Sequence, residues 1–194
     1  MKRYVKSISI AALALLPVLA SAQTSGNAKQ FSLGVSGGAS FPLGDFGKGT
    51  NTGYSIAGHV YLLPPALKNV SFRGDVAYDR WAFKGDAFGS LVDGNVRSLA
   101  FTGNIILKVA SPGSVFHPYL IAGAGGYNTK ASAAGSTSNG QTNFGIQGGG
   151  GVEFGLSGFS TFIEAKYVTV FGNDANDGSS SKLHYVPLTF GVRF

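Results

Sequence analysis

The last eleven residues, 184–194, alternate strictly and end on an aromatic residue. In an extended chain, successive side chains point to opposite faces. One face then carries an unbroken apolar series: Val186, Leu188, Phe190, Val192 and Phe194. The other face carries Tyr185, Pro187, Thr189, Gly191 and Arg193. This period of two predicts a β-strand. Soluble sheets alternate in the same way, so the pattern alone predicts no more than a strand.

The first 22 residues have the three parts of an export signal. Lys2, Arg3 and Lys6 form a basic start, residues 8–19 are apolar, and small residues 20–22 precede Gln23. An uncleaved membrane anchor is the alternative, but it needs a longer apolar stretch than this one. We therefore predict a cleaved signal peptide over 1–22, a short periplasmic segment over 23–30 and one domain over 31–194.

The composition of the chain narrows its class. Cleavage lowers the Lys+Arg count from 15 to 12 against 9 acidic residues, which leaves a charge of +3. This charge is too small to indicate nucleic-acid binding. The chain has no Cys, which excludes a disulfide framework. The 30 Gly residues disfavour helices and suit strands that bend or approach closely.

Eight alternating segments follow the signal. They lie near 31–40, 52–63, 70–80, 96–109, 118–127, 142–154, 159–171 and 184–194. Each is close to the roughly 9 to 11 residues that a tilted strand needs to cross a bilayer. The connections alternate in length: 42–51, 81–95, 128–141 and 172–183 are long, whereas 64–69, 110–117 and 155–158 are short. This organisation predicts an all-β fold, an eight-stranded antiparallel up-and-down transmembrane β-barrel with both termini on the short-turn side.

Within these segments, apolar residues share one face and charges share the other. Phe72, Val76 and Tyr78, for example, alternate with Arg73, Asp75 and Asp79. We expect the apolar face to contact lipid, because a Lys or Arg at the lipid midplane costs about 2 to 4 kcal/mol. Aromatic residues at the strand ends predict two interfacial girdles. They are Tyr54, Tyr78, Trp81, Tyr127 and Phe171 near the long connections, and Phe116, Tyr119, Phe159 and Phe194 near the short turns. A soluble ligand-binding barrel would have the opposite faces.

The signal, the alternating connections and the closing strand together resemble the outer-membrane protein beta-barrel family, in its small eight-stranded form related to the OmpA transmembrane barrel. The resemblance implies a place in the bacterial outer membrane with periplasmic termini. It also implies two partners, outer-membrane lipid and the barrel-assembly machinery. The closing strand looks like the family's C-terminal assembly signal, carried by Tyr185, Phe190, Val192 and Phe194. Pro187 departs from the pattern because it lacks a ladder donor, and we expect it at a bulge or near the beginning of its strand.

An eight-stranded barrel is just wide enough for its interior to be filled by side chains. The predicted lumen contains four basic and three acidic residues: Arg73, Asp75, Lys108, Glu153, Glu164, Lys166 and Arg193. We expect Glu153, Glu164, Lys166 and Arg193 to form a buried ionic network nearer the short turns. These charges either plug and rigidify the barrel or line a gated ion path. Mixed signs at this density favour the plug.

Other motifs have structural interpretations. The run Gly148–Gly151 continues into a strand and lacks the phosphate-loop pattern, so Gly149 and Gly151 are expected to leave room in the lumen. Residues 174–178 resemble part of a calcium loop, but the Gly comes early and no Glu follows. We predict no metal site and no cofactor.

The histidines leave an enzymatic alternative open. His59 is expected inside, His117 in a short turn, and His184 facing lipid near the long connections. A lipid-A-modifying hydrolase or transferase would need His184 together with a Ser from 179–181 and Asp174 or Asp177. A solvated histidine is the simpler interpretation, and we predict no enzyme.

The sequence therefore favours a barrel with a plugged polar lumen and exposed long loops, in a structural or surface-interaction role. A narrow channel or transporter for small or apolar solutes is the alternative. The sequence does not identify loop partners.

Overall fold

The computed structural model describes residues 30–67, 69–85, 94–109, 115–133, 136–138, 140–172 and 182–194. Its strands are β1 (Phe31–Leu43), β2 (Gly53–Leu62), β3 (Val70–Ala82), β4 (Gly94–Lys108), β5 (Phe116–Ala133), β6 (Ser136–Thr137), β7 (Gln141–Gly155), β8 (Ser160–Phe171) and β9 (Lys182–Arg193). A six-residue helix, α1 (Gly44–Gly49), follows β1. The predicted signal peptide and the calcium-like segment lie outside the described residues. Among the described residues, no helix has the length and apolarity to cross a membrane.

The strands form one closed antiparallel barrel. The sheet runs in the order β4-β3-β2-β1-β9-β8-β7-β5, and β4 also pairs with β5, which closes the cylinder. In the described chain, the two-residue β6 pairs with β5 and extends a hairpin beyond the barrel wall. The first and last strands pair along their length, with Gly37 opposite Phe190. Closure leaves no free edge in the wall, and the structure confirms the predicted eight-stranded up-and-down barrel.

Alternation along each strand gives the barrel an apolar exterior. Phe101 on β4 is 57% exposed and Phe190 on β9 is 55% exposed, whereas Arg73 and Glu164 inside are 2% and 1% exposed. Charges inside and large apolar side chains outside are the reverse of a soluble barrel. Such an exterior is stable against hydrocarbon, which fixes the register of every strand.

Several strands run farther than the apolar pattern indicates. The fifth strand was expected over 118–127, but β5 covers Phe116–Ala133 because its ladder with β4 continues to the pair Gly94 and Ala133. His117 is therefore the second residue of a strand, and its predicted place in a short turn is wrong. Backbone pairing between strands continues into the polar ends of the hairpins. The alternation of apolar residues stops before these ends, so it does not predict how far the strands extend.

Pro187 lies in the interior of β9 without a bulge, so its expected position was wrong. The register with β8 is the same on both sides of it, from Ala165 opposite Leu188 to Val168 opposite Tyr185. The two intervening pairs are missing from the ladder. The absent proline N–H accounts for this gap, and the apolar face holds the strand in place across it.

Three residues assigned to the aromatic girdles face the interior instead. Trp81, Tyr127 and Tyr119 are buried in the lumen. Trp81 meets Phe46 of α1 edge to face at 5.1 Å and Tyr185 at 4.8 Å. Its Nε1–H donates to the Ser40 carbonyl at 3.2 Å. Because an indole can bury its ring only where its N–H finds an acceptor, this contact stabilises an apolar cluster at the long-connection end.

Candidate functional site in the barrel lumen

An ion pair crosses the centre of the lumen. Nη1 and Nη2 of Arg73 each donate to one carboxylate oxygen of Glu164 at 2.7 Å. Arg73 is on β3 and Glu164 on β8, and three strands of the barrel wall separate them in either direction. The Tyr119 hydroxyl donates to Glu164 Oε2 at 2.8 Å. The pair therefore ties opposite walls together with the bidentate geometry that suits guanidinium and carboxylate.

Asp75 joins this pair into a charge-balanced cluster. Its carboxylate lies 2.8 Å from Arg73 Nε and 3.4 Å from Lys166 Nζ. Lys166 Nζ also lies 3.6 Å from Glu164. Asn104 Nδ2 donates to Asp75 Oδ2 at 3.0 Å. Two cations and two anions thus compensate one another in a space from which water is largely excluded, the condition under which buried charges are tolerated. We call Arg73, Asp75, Glu164 and Lys166 the central cluster.

His59 connects the central cluster to a serine. Its Nδ1 lies 2.8 Å from Asp75 Oδ1 and its Nε2 lies 2.8 Å from Ser36 Oγ. With the proton on Nδ1, His59 donates to Asp75 and accepts from the Ser36 hydroxyl. The order Ser, His, Asp is that of a hydrolase triad. However, the neighbouring cavity is about 20 Å³, which has room for one water and not for an acyl substrate.

A second ionic cluster lies nearer the short turns. Glu153 contacts Arg193 Nη2 through one oxygen and lies 3.3 Å from Lys108 Nζ through the other. These side chains are more exposed than those of the central cluster. The Tyr61 ring lies between the clusters, with the guanidinium of Arg73 at 5.6 Å and that of Arg193 at 5.3 Å from its centre. The one network expected from Glu153, Glu164, Lys166 and Arg193 is thus divided into two.

Sequence reasoning missed Tyr119 and Ser36 as parts of the lumen. Tyr119 was assigned to an interfacial girdle. Ser36 is uncharged, so its residue type does not indicate which face of β1 it occupies. Asp79 is buried at 2% exposure, and the Tyr185 hydroxyl donates to its Oδ2 at 3.4 Å. The alternation on β3 had placed Asp79 on the inner face with Arg73 and Asp75, but the expected lumen network did not include it.

Gly149 and Gly151 were both expected to leave lumen space for bulky side chains, and the structure shows this role for Gly151 only. A Cβ on Gly149 would run into the backbone of Ala165 and Lys166 on the next strand. At Gly151 it would meet the Tyr119 ring and the Ile163 carbonyl. Gly151 therefore accommodates the same tyrosine that holds Glu164, whereas Gly149 permits close approach of β7 and β8.

A cavity of about 540 Å³ opens at the long-connection end. Its lining includes Phe46, Gln141, Asn143, Lys182 and Leu183. Asp45 of α1 is at its border and accepts a hydrogen bond from Lys48 Nζ at 2.8 Å. This hydrogen bond and the lysine charge lower the pKa of Asp45. The cavity is large enough to admit a small molecule.

His184 lies on the outer face near the same end, as predicted. Its Nδ1 is 3.1 Å from both the Tyr167 hydroxyl and the Thr169 hydroxyl. No carboxylate contacts this imidazole among the residues that the structure describes. The Ser and Asp residues that a lipid-modifying site would need, at 174, 177 and 179–181, lie outside the described residues.

These features define the class of the protein: a small transmembrane β-barrel, closed by eight strands, with an apolar outer surface and a charged interior. The sequence profile of the outer membrane protein beta-barrel domain matches residues 8–194. The chain belongs to this family. No curated protein matches the sequence.

Solved structures of outer-membrane barrels are similar to this chain. Neisserial surface protein A is 18% identical with a TM-score of 0.64, over 86% of this chain and 97% of that one. A major outer membrane protein from Thermus thermophilus is 13% identical with a TM-score of 0.58, over 84% and 98%. The outer membrane enzyme PagL is 16% identical with a TM-score of 0.46, over 82% of this chain and 97% of that one. At these identities the similarity is one of fold.

Proposed function

We propose that this protein is a non-conducting structural barrel of the bacterial outer membrane, which supports envelope integrity and displays its long connections for surface interactions. The bidentate contact between Arg73 and Glu164 is the observation that carries the proposal. A pair that joins opposite walls obstructs the axis of the barrel, because an eight-stranded interior holds little beyond its own side chains.

The free space around the ionic clusters supports a closed lumen. The cavity beside the central cluster is about 20 Å³ and the one beside Glu153 and Arg193 is about 10 Å³. One water needs roughly 10 to 15 Å³ by this kind of measure. Phe162, buried at 2% exposure, fills the interior beside His59, with ring centres 5.7 Å apart. Ions and small solutes would have to displace ion-paired side chains to pass.

The direction of insertion is part of the proposal. Both described termini are at the short-turn end, with the Phe194 N–H donating to the Leu33 carbonyl at 2.8 Å. Bacterial barrels place short turns in the periplasm and long loops outside. We infer periplasmic termini, and we infer that the closing strand is read by the assembly machinery through Tyr185, Phe190, Val192 and Phe194. Three of the four face lipid, but Tyr185 faces the core.

Solute flux tests the structural role. Purified protein is reconstituted into liposomes that contain an impermeant sugar, and the vesicles are diluted into isosmotic glycine or glucose. We expect swelling at the rate of protein-free vesicles, with an open porin as the positive control. Faster swelling in either solute would overturn the structural role and favour transport.

A narrow transporter is the second candidate, and the cavity of about 540 Å³ at the long-connection end favours it. A small or apolar solute could enter this mouth and leave sideways without crossing the central cluster. Uptake of an apolar fluorescent dye by cells that lack or overproduce the protein separates the two functions. A structural barrel predicts that the two kinds of cell take up the dye equally, after correction for any difference in passive membrane leakage.

A further inference from the structure

Three basic side chains form a row on the outer surface near the long-connection end. Arg80 on β3 pairs in register with Arg97 on β4, and Arg97 pairs with Lys130 on β5. The neighbouring residues Trp81 and Ser98 are 0% exposed in the lumen. Alternation therefore directs Arg80 and Arg97 outward. Lys130 also points outward, because it lies three residues after Tyr127, which is 1% exposed in the lumen. Paired Cα atoms on adjacent strands are about 4.5 to 5.5 Å apart, so the three cations form one patch.

Within the described residues, this patch lacks a compensating acid. None of the ion pairs in that part of the chain includes Arg80, Arg97 or Lys130. Arg97 Nη2 donates to Ser132 Oγ at 2.9 Å, while its buried Nε has no hydrogen-bond partner among the described residues. Guanidinium groups bind phosphate through paired N–H donors, and a lysine adds a point charge. The patch therefore suits an anionic phosphate.

The same three strands carry an apolar groove farther from this end. The groove is about 650 Å³ and its lining is largely apolar. Its outward-facing lining residues are Phe72, Gly74, Gly103, Ile105, Ala122 and Ala124. Gly74 pairs with Gly103, and Gly103 pairs with Ala124, so small residues on adjacent strands form its floor. The larger side chains Phe72 and Ile105 form its wall.

The separation of the patch and the groove matches a lipid. Arg80 and Gly74 are six residues apart on β3, which corresponds to about 20 Å along the strand. With a tilt of about 45°, the groove lies roughly 14 Å deeper than the patch, near the middle of a hydrocarbon core about 30 Å thick. An acyl chain that follows the strand direction from a headgroup at the patch therefore reaches the groove.

We propose that β3, β4 and β5 form a binding site for a phosphate-bearing anionic lipid, with the phosphate on Arg80, Arg97 and Lys130 and an acyl chain in the groove. Charge complementarity selects this occupant over a zwitterionic lipid, whose own cation would face the patch. The site is on the outside of the wall and does not depend on whether the lumen conducts.

Native mass spectrometry of the detergent-solubilised full chain tests the headgroup. The probe is dioleoyl phosphatidic acid, with dioleoyl phosphatidylcholine and inorganic phosphate as comparison ligands. The variant R80Q/R97Q/K130Q removes the patch, and K48Q/K84Q/K182Q removes three cations from the same end outside it. We expect the patch variant to bind phosphatidic acid about tenfold more weakly, because charge-assisted contacts are lost. The control variant should bind as the wild type does.

The groove is tested separately. A Cβ added at Gly74 or Gly103 would meet nothing within 4 Å, so a side chain can start into the groove from either position, and G74L/G103L fills it. Gly58 on β2 is equally open, which makes G58L the matched control. We expect G74L/G103L to weaken binding of the dioleoyl lipid and to leave binding of a dihexanoyl phosphatidic acid unchanged. Heat-modified migration on a gel reports folding of each variant. If the triple variant misfolds, the single substitutions R80Q and K130Q, at two exposed residues, take its place.

The proposal is overturned if both triple variants lose affinity for phosphatidic acid to the same extent. Such a result would mean that the lipid is attracted by the overall positive charge of this end and not by the patch. Equal binding of phosphatidylcholine by the wild type, or an unchanged dioleoyl affinity in G74L/G103L, overturns it as well. Displacement of the lipid by inorganic phosphate at comparable concentration would show a free-phosphate site and also contradict it.

Discussion

Arg73 and Glu164 are 91 residues apart in the chain and meet at 2.7 Å through two parallel hydrogen bonds. Their strands are on opposite sides of the barrel. Both side chains are essentially unexposed, so neither charge has access to bulk water. The contact forms only when the barrel has closed, and it couples the stability of the wall to the electrostatics of the lumen.

Removing one member of this pair should destabilise the barrel. The variant Arg73→Met leaves the Glu164 carboxylate buried beside Tyr119 and without its main partner. We expect the free energy of unfolding to fall by about 3 to 5 kcal/mol. Urea unfolding in lipid vesicles measures this, with fluorescence of Trp81, the one tryptophan in the sequence, as the probe. The double variant R73M/E164L should recover most of the loss. Asp45→Asn, at a fully exposed ion pair, is the control and should cause no measurable change.

The lipid-facing register predicts a position-dependent cost for an introduced charge. Phe101 is in the middle of β4, opposite Val76, whereas Phe116 begins β5 at the barrel's end; both are more than half exposed. Phe101→Arg should cost about 2 to 4 kcal/mol, and Phe116→Arg only about 0 to 1 kcal/mol. Equal costs in the same urea experiment would mean that the apolar band does not lie where the register places it.

Close approach of β7 and β8 predicts that Gly149 tolerates no side chain. Gly149→Ala places a methyl group against the backbone of Ala165, which cannot yield without breaking the ladder. We expect loss of folded barrel, visible as loss of heat-modified migration on a gel. Gly58→Ala, where the added methyl group faces open space, should fold as the wild type does. A stable G149A barrel would show that these strands are not packed as described.

The absence of cysteine allows the direction of insertion to be measured. Lys48 lies in α1 at the long-connection end, and Ser157 lies in the turn between β7 and β8 at the other end. In intact cells, a membrane-impermeant maleimide should label Lys48→Cys and spare Ser157→Cys. Both should be labelled after the outer membrane is permeabilised. Labelling of Ser157→Cys alone in intact cells would reverse the proposed orientation.

The sequence was a good guide to the barrel because lipid imposes a strict rule on every second residue. The strand number, the pairing of neighbours and the inward phase of Arg73, Asp75, Glu164 and Lys166 all follow from that rule. Which inward residues meet across the lumen does not follow from it. Partner choice depends on depth and on the twist of the wall, so Glu164 pairs with Arg73 from the opposite wall, and Glu153 pairs with Lys108 and Arg193.

The direction of three aromatic side chains was also predicted wrongly from the sequence. Trp81, Tyr119 and Tyr127 occur at strand ends, where outward aromatics are common, but their polar atoms have acceptors inside. Their position near strand ends favoured an outward direction in the girdle. Their place in the in-out alternation of each strand directs them into the lumen. The short helix α1 could not be predicted from an apolar periodicity. Three of its six residues are glycines, two at its ends and one within it.

Single-channel recording in planar bilayers tests the closed lumen most directly, with the wild type compared with K166Q and R73A/E164A. A lumen blocked by the central cluster predicts no discrete current steps for the wild type or K166Q, and new steps for R73A/E164A, where both members of the crossing pair are cut back. Regular wild-type steps whose size or ion preference changes in K166Q would show that ions pass beside Lys166, and would contradict the closed lumen.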